Sequence, residues 1–185
     1  MPSILLFDFI IGIVPYILLF FDFKGFDLYV WNGQMKLYHG SSCAIEKPEI
    51  RVAAHDKDFG QGFYCTELRT QAERWAMRFQ TPVVSIFEYT PEDGFDTLRF
   101  DGMTDEWLDF IVDCRSGKPH TRDVVIGAMA NDQVWNYVAD FISGILTREQ
   151  FWALAKFKHP THQIAFCNRR ALECLRFLES YGVNT

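Results

Sequence analysis

The sequence predicts an α+β domain over residues 35–185. Apolar residues make up 49% of the 185-residue chain, enough to bury a core. Strand-like and helix-like stretches follow one another without the regular βαβ alternation of a parallel sheet. No GxGxxG, P-loop or HExxH motif is present, so a nucleotide, if bound, is held outside a Rossmann or P-loop frame.

Met35 to His39 is a short strand candidate, and Ser41 to Gly62 is loop-rich, with Pro48, Gly60 and Gly62 as punctuation. Asp58 caps the turn that these glycines make. Thr66 is a helix N-cap residue, followed by Leu68, Ala72, Trp75, Ala76 and Phe79 at helical spacing. Pro82 stops that helix, and Val83 to Tyr89 is β-rich. Thr104 caps a second helix with Trp107, Leu108, Ile111 and Val112 inward and Gly117 after its end. Val124 to Ile126 reads as a buried strand. Asn131 caps a third helix with Val134, Trp135, Val138, Phe141 and Ile142 on its apolar face. Thr147 and Gln150 form a capping-box pattern opening a fourth. Gln163 to Cys167 is a strand candidate, after which Asn168 caps a last helix carrying Leu172, Leu175 and Leu178.

A net charge of −6 argues against a broad electrostatic grip on nucleic acid. The five cysteines (Cys43, Cys65, Cys114, Cys167, Cys174) are odd in number and lack CxxC spacing, which fits reduced thiols in a cytoplasmic protein. His55, His120, His159 and His162 show no metal-ligand spacing, and no metal is expected.

Residues 1–34 differ in character from residues 35–185. Ile4 to Phe21 is nearly long enough to span a membrane, but Asp8 and Pro15 interrupt it. An Asp at a span centre costs about 2.5–3.5 kcal/mol, which the surrounding Leu, Ile and Phe can outweigh. Three readings stay open: a leader from a start placed too far upstream, a membrane anchor through residues 4–21, and a core element. A secretory signal is disfavoured, because no Lys or Arg precedes the run and no small-residue cleavage site succeeds it.

Three segments together carry a resemblance. They are Leu37-Tyr38-His39-Gly40-Ser41; Lys57-Asp58-Phe59-Gly60-Gln61-Gly62-Phe63-Tyr64-Cys65-Thr66; and His162-Gln163-Ile164-Ala165-Phe166. In these the chain resembles the ADP-ribosyltransferase superfamily, in its diphtheria-toxin and poly-ADP-ribose-polymerase-like branch. More closely, it is similar to an uncharacterised bacterial domain of unknown function that pairs YHGS with DFGxGFYxT. That family also carries DxxIGxxAxD, here Asp123 to Asp132.

The resemblance implies split antiparallel β-sheets with flanking helices, and NAD as the substrate of mono-ADP-ribosyl transfer to an unknown protein or nucleic acid. It implies that His39 bonds the adenosine-side ribose, that the Gly40 backbone holds the nicotinamide amide, and that Tyr64 stacks on the ring. Ser41 and Gly62 complete the implied NAD site, and Gln163 joins His39 and Tyr64 as a catalytic candidate. Bacterial proteins of this fold are often toxins held by a small neighbour protein, so an antitoxin-like partner is a further implication.

Active relatives often carry Glu where Gln163 stands. A unit charge about 5 Å from a developing sugar cation, at an effective dielectric near 20, is worth about 3 kcal/mol. That corresponds to roughly two decades of rate. A catalytically weak or inactive binding module on the same fold is therefore the alternative, and a Gln163→Glu change is expected to raise turnover if the site is a slow enzyme. Asp123, Asn131 and Asp132 read either as helix-end polar residues or as a cluster for acceptor placement or a substitute carboxylate near the sugar. A weaker alternative makes Cys65 the nucleophile of a hydrolase.

Overall fold

The computed structural model describes residues 34–50, 57–130, 132–155 and 161–184. The chain divides into units Met1–Gly33 and Gln34–Thr185, and every described residue lies in the second. The candidate span at 4–21, the cap at Asn131 and the side chains of His55 and His159 lie outside the described residues. Among the described residues no helix is long and apolar enough to cross a membrane.

The elements run β1 (Met35–Ser41), β2 (Phe63–Cys65), α1 (Arg69–Ala76), β3 (Val83–Tyr89), β4 (Thr97–Arg99) and α2 (Asp105–Arg115). They continue as β5 (Val124–Gly127), α3 (Asp132–Ile142), α4 (Arg148–Leu154), β6 (Gln163–Phe166), α5 (Arg169–Leu172) and β7 (Leu175–Gly182). The protein is an α+β fold with two sheets, ordered β1-β3-β7 and β2-β6-β5-β4. The first sheet is antiparallel throughout. The second departs from the antiparallel expectation at its edge, where β4 runs parallel to β5. The chain returns from β4 to β5 through α2, a crossover long enough to permit a parallel pair.

Side-chain alternation on the strands builds the layers. Leu37, Phe87 and Tyr89 of the first sheet meet Phe63, Ile126, Ile164 and Phe166 of the second in one core. Val125 and Ala165 point the other way, into a second core with Trp107, Leu108, Ile111, Val138 and Phe151 of α2, α3 and α4. β5 is thus buried on both faces, which is why it reads as an unbroken apolar run. On the outer face of the first sheet, Ala72 and Ala76 of α1 pack with Val84. An isolated bridge between Tyr38 and Thr66 links β1 to β2, with backbone bonds of 2.8 and 2.9 Å.

The caps at Thr104, Thr147 with Gln150, and Asn168 form as the sequence predicts. Thr66 does not cap α1: its backbone is committed to the bridge with Tyr38, and Leu68 is the N-cap residue. The last predicted helix is a single turn. Leu175 and Leu178 belong to β7, which pairs with β3 along its length.

Candidate functional site

A cleft of about 580 Å³ opens along the junction of the two sheets. β1 supplies Tyr38, His39 and Gly40; β2 supplies Tyr64 and Cys65; the start of β6 supplies Gln163. Of the residues the sequence singles out, His39, Gly40, Tyr64 and Gln163 therefore share one cavity. Ser41 and Gly62 do not border it. They border an adjoining hollow of about 160 Å³, which also includes His39, Lys57 and Tyr64. The Ser41 hydroxyl donates to the Cys43 carbonyl at 2.7 Å. A side chain at Gly62 would meet the Phe166 carbonyl oxygen at 2.9 Å, so this glycine lets β2 lie close on β6.

His39 is held on two sides. Its Nδ1 donates to the Tyr64 carbonyl at 2.7 Å, and its ring stacks on Phe63 with centroids 4.3 Å apart. The carbonyl is an acceptor only, so the proton sits on Nδ1. Tyr64 is fixed by its hydroxyl, which donates to the Gly60 carbonyl at 2.6 Å and accepts from the Phe59 amide at 3.1 Å. Gly60 adopts φ of +73°, a conformation that favours glycine, and this turn folds the chain back onto the phenol. Burial, reinforced by the nearby Asp58 carboxylate, pushes the phenol well above its usual range. The phenol therefore stays protonated near neutrality, with its hydroxyl committed to the Gly60 turn. The Lys57 ammonium lies 4.8 Å from its ring centroid, and burial pulls that amine below its ordinary value. A planar ligand stacking on that face would take the place of the ammonium.

Gln163 is 5% exposed. Its Nε2 donates to Asp58 Oδ2 at 3.0 Å and to the Ala128 carbonyl at 3.3 Å. Asp58 is not the turn cap the sequence suggests. It is 4% exposed and forms a buried ion pair with Arg115, whose Nε donates to Oδ1 at 3.1 Å and whose Nη2 donates to the same oxygen. The Ala130 amide donates to Oδ2 at 2.8 Å. Arg115 also donates to the Trp135 carbonyl at 3.1 Å and lies 3.6 Å from that indole's centroid.

Across the cleft, Gln71 of α1 grips the residue before Gln163. Its Nε2 donates to the His162 carbonyl at 2.6 Å, and its Oε1 accepts from the His162 amide at 3.1 Å. Burial pulls the His162 imidazole below its ordinary value, with Glu67 opposing. The neutral ring accepts at Nδ1 from the Glu67 amide at 3.3 Å.

Sequence reasoning missed three contributors to this site. Trp75, read only as part of a helical spacing, and Trp135, assigned to an apolar helix face, are 42% and 40% exposed and border the cleft. Arg78 also borders it, with its guanidinium 4.3 Å from the Trp75 ring. A signal was present in the case of Trp135: α3 buries Val134 and Val138, and position 135 lies about 100° round the helix from Val134.

Two candidates are corrected by their places in the fold. Asp123 cannot substitute for a carboxylate near Gln163. It precedes β5 at the end where Val124 pairs with Phe166, whereas Gln163 pairs with Gly127 at the other end. Asp123 is used structurally, accepting from Asn168 at 2.5 Å and from the Asp96 amide at 2.8 Å. Cys65 is 3% exposed within the inter-sheet core, and burial pushes its thiol far up, so it lacks the thiolate a nucleophile needs. Among the described residues no group of three His, Cys, Asp or Glu side chains is placed to hold a metal ion.

Fold and cleft together define an α+β domain with an aromatic-walled cavity of small-molecule size, set between two sheets. The chain belongs to the family described as Protein of unknown function (DUF3990), whose model matches residues 35–177. No curated protein matches the chain, and no solved structure does.

Proposed function

We propose that this domain binds NAD in the cleft and transfers ADP-ribose to a macromolecule, in the manner of the ADP-ribosyltransferases it resembles. The observation that carries the proposal is the convergence of His39, Gly40, Tyr64 and Gln163, from three strands, on one cavity. Its volume falls within the roughly 300–1,000 Å³ range of small-molecule sites. Trp75 and Trp135 offer planar surfaces for rings, and Lys57 and Arg78 offer positive charge for a diphosphate. NAD would supply the chemistry: its nicotinamide leaves with the bonding electrons as the ribose becomes oxocarbenium-like. His39, fixed by Tyr64 and Phe63, would orient the dinucleotide. Tyr64 would stack on the ring, and Gln163 would accept from a sugar hydroxyl.

Incubation of lysate with labelled NAD tests this, comparing wild type with His39→Ala and Tyr64→Ala. Labelling is expected from the wild type and lost in both variants; equal labelling by all three defeats the proposal. A second reading, a binding module without turnover, is favoured by one feature: an amide stands where a carboxylate would face the sugar cation. NAD binding by calorimetry without nicotinamide release would support that reading. The family analogy further suggests a bacterial toxin with a small neutralising partner. Growth arrest on induced expression, relieved by His39→Ala, would agree with it.

A further inference from the structure

We infer that Asp58 is a positioning residue: it turns the Gln163 amide so that Oε1 is the acceptor offered to a hydroxyl donor in the cleft. The orientation of the amide stands apart from any activity; identifying the donor as a ribose hydroxyl of NAD rests on the proposed NAD-binding function.

Hydrogen-bonding capacity dictates the orientation. A carboxylate has about four acceptor positions. Asp58 has four donors upon it: Arg115 Nε and Nη2 on Oδ1, and the Ala130 amide and Gln163 Nε2 on Oδ2. It borders the cleft with no position left for a ligand. Whatever it contributes must pass through Gln163. There, both Nε2 protons are spent, on Asp58 Oδ2 and on the Ala128 carbonyl. Reversing the amide would set its oxygen against two acceptors, so the orientation is dictated by the neighbours. Oε1 remains. Among the described residues no buried side-chain nitrogen or oxygen lacks a partner, and no protein donor reaches Oε1, so this atom faces the cleft that Gln163 borders.

This geometry changes what a carboxyl at position 163 would do. It would lie about 3 Å from the Asp58 carboxylate and face the Ala128 carbonyl, and two such carboxyls share one proton. Thermal denaturation of the full chain and of Gln163→Glu, from about pH 5 to about pH 8, tests the coupling. Near the acid limit the new carboxyl keeps its proton and donates it to Asp58, replacing the amide bond. Above about 4.3, the ordinary glutamate value, the unfolded chain has released that proton while the folded pair retains it. The folded state then binds more protons, so its stability falls with rising pH. The variant's Tm is expected to drop a further 5 °C or so relative to wild type across this range. The double variant Asp58→Asn with Gln163→Glu, left with one carboxyl, is expected to lose that slope whatever its absolute Tm. A Gln163→Glu variant that tracks wild type at every pH overturns the inference.

Calorimetric titration with NAD, on wild type and Gln163→Leu, separates this inference from the proposed function. The pH slope without NAD binding by wild type defeats the NAD reading and leaves the positioning of Gln163 by Asp58 intact. The slope together with affinity lowered about 10-fold in Gln163→Leu supports both. NAD affinity unchanged in Gln163→Leu overturns the role of Oε1 toward this ligand.

Discussion

Replacing Gly40 with alanine separates two opposed contributions by sign. A new methyl group in a strand ordinarily stabilises by about 0.4–1 kcal/mol, because the unfolded chain loses freedom. Here the added Cβ would lie 2.2 Å from the Ala72 carbonyl oxygen and 2.9 Å from the Ala76 amide nitrogen. Both atoms are helix backbone and cannot rotate aside. Ordinary contact lies near 3.5 Å, so α1 must withdraw from β1 by about 1 Å. Overpacking of this kind costs about 1–3 kcal/mol, and immovable backbone puts Gly40 at the upper end. The net loss is about 2 kcal/mol, which lowers Tm by about 4–8 °C for a chain of this size. Thermal melts followed by circular dichroism measure this directly. Because α1 carries Gln71 and Trp75 on the cleft wall, NAD affinity is expected to fall with Tm. A Tm equal to wild type or higher would refute the close-approach argument.

Three further perturbations test the supports of the cleft, with a surface ion pair as the comparison for the first. Arg115→Met leaves the buried Asp58 carboxylate without its counter-charge and is expected to cost about 3–5 kcal/mol. Arg148→Met breaks two surface pairs, to Asp105 and Asp109, and is expected to cost about 1 kcal/mol or less; urea titrations of the two variants give the comparison. Tyr64→Phe strips the Gly60 carbonyl and the Phe59 amide of their partner, which should cost about 1–3 kcal/mol. Faster hydrogen exchange at the Phe59 amide checks that effect locally. His162 has a folded pKa below its unfolded value near 6.5, so the unfolded chain binds the extra proton first as pH falls. Stability is lost on acidification below about pH 6.5, and His162→Gln should flatten that part of a Tm-against-pH curve.

Much of the fold was legible because local chemistry and tertiary demand agreed. Thr104, Thr147 with Gln150, and Asn168 cap helices by rules that depend on three or four residues. The Val124 to Ile126 run is apolar because both faces of β5 are covered. β7 was not legible. Leu172, Leu175 and Leu178 fall at helical spacing, but Leu178 is the extra residue of a bulge, where Ile86 pairs with Glu179 and Phe87 with Phe177. The bulge breaks the alternation that marks a strand and produces three-residue spacing by coincidence. The short β4 was missed too: its three residues have exposed or half-buried side chains and carry no pattern. In the site, His39, Gly40, Tyr64 and Gln163 were found through motifs. Asp58 was misread because its partner, Arg115, lies 57 residues away, and no local rule announces a buried ion pair at that separation.

The Asp58–Gln163 contact also changes how the amide at position 163 is to be understood. By sequence alone, Gln163 looks like a carboxylate lost, and restoring it is expected to raise turnover. In the fold a carboxylate is already present one hydrogen bond behind the amide, locked by Arg115 and the Ala130 backbone. A second one would be repelled by the first and would hold its proton, so the gain of about 3 kcal/mol expected from a free charge is not available there. An amide suits the position better: it takes the Asp58 charge on its nitrogen side and offers an oxygen on the other. Asp58 and Gln163 then form one acceptor unit, whose charge is partly offset by Arg115. Such a unit would orient a hydroxyl well and stabilise a cation weakly. If NAD is the ligand, the expected profile is firm binding with slow nicotinamide release, and Gln163→Glu should lower stability near neutral pH without a large rise in rate.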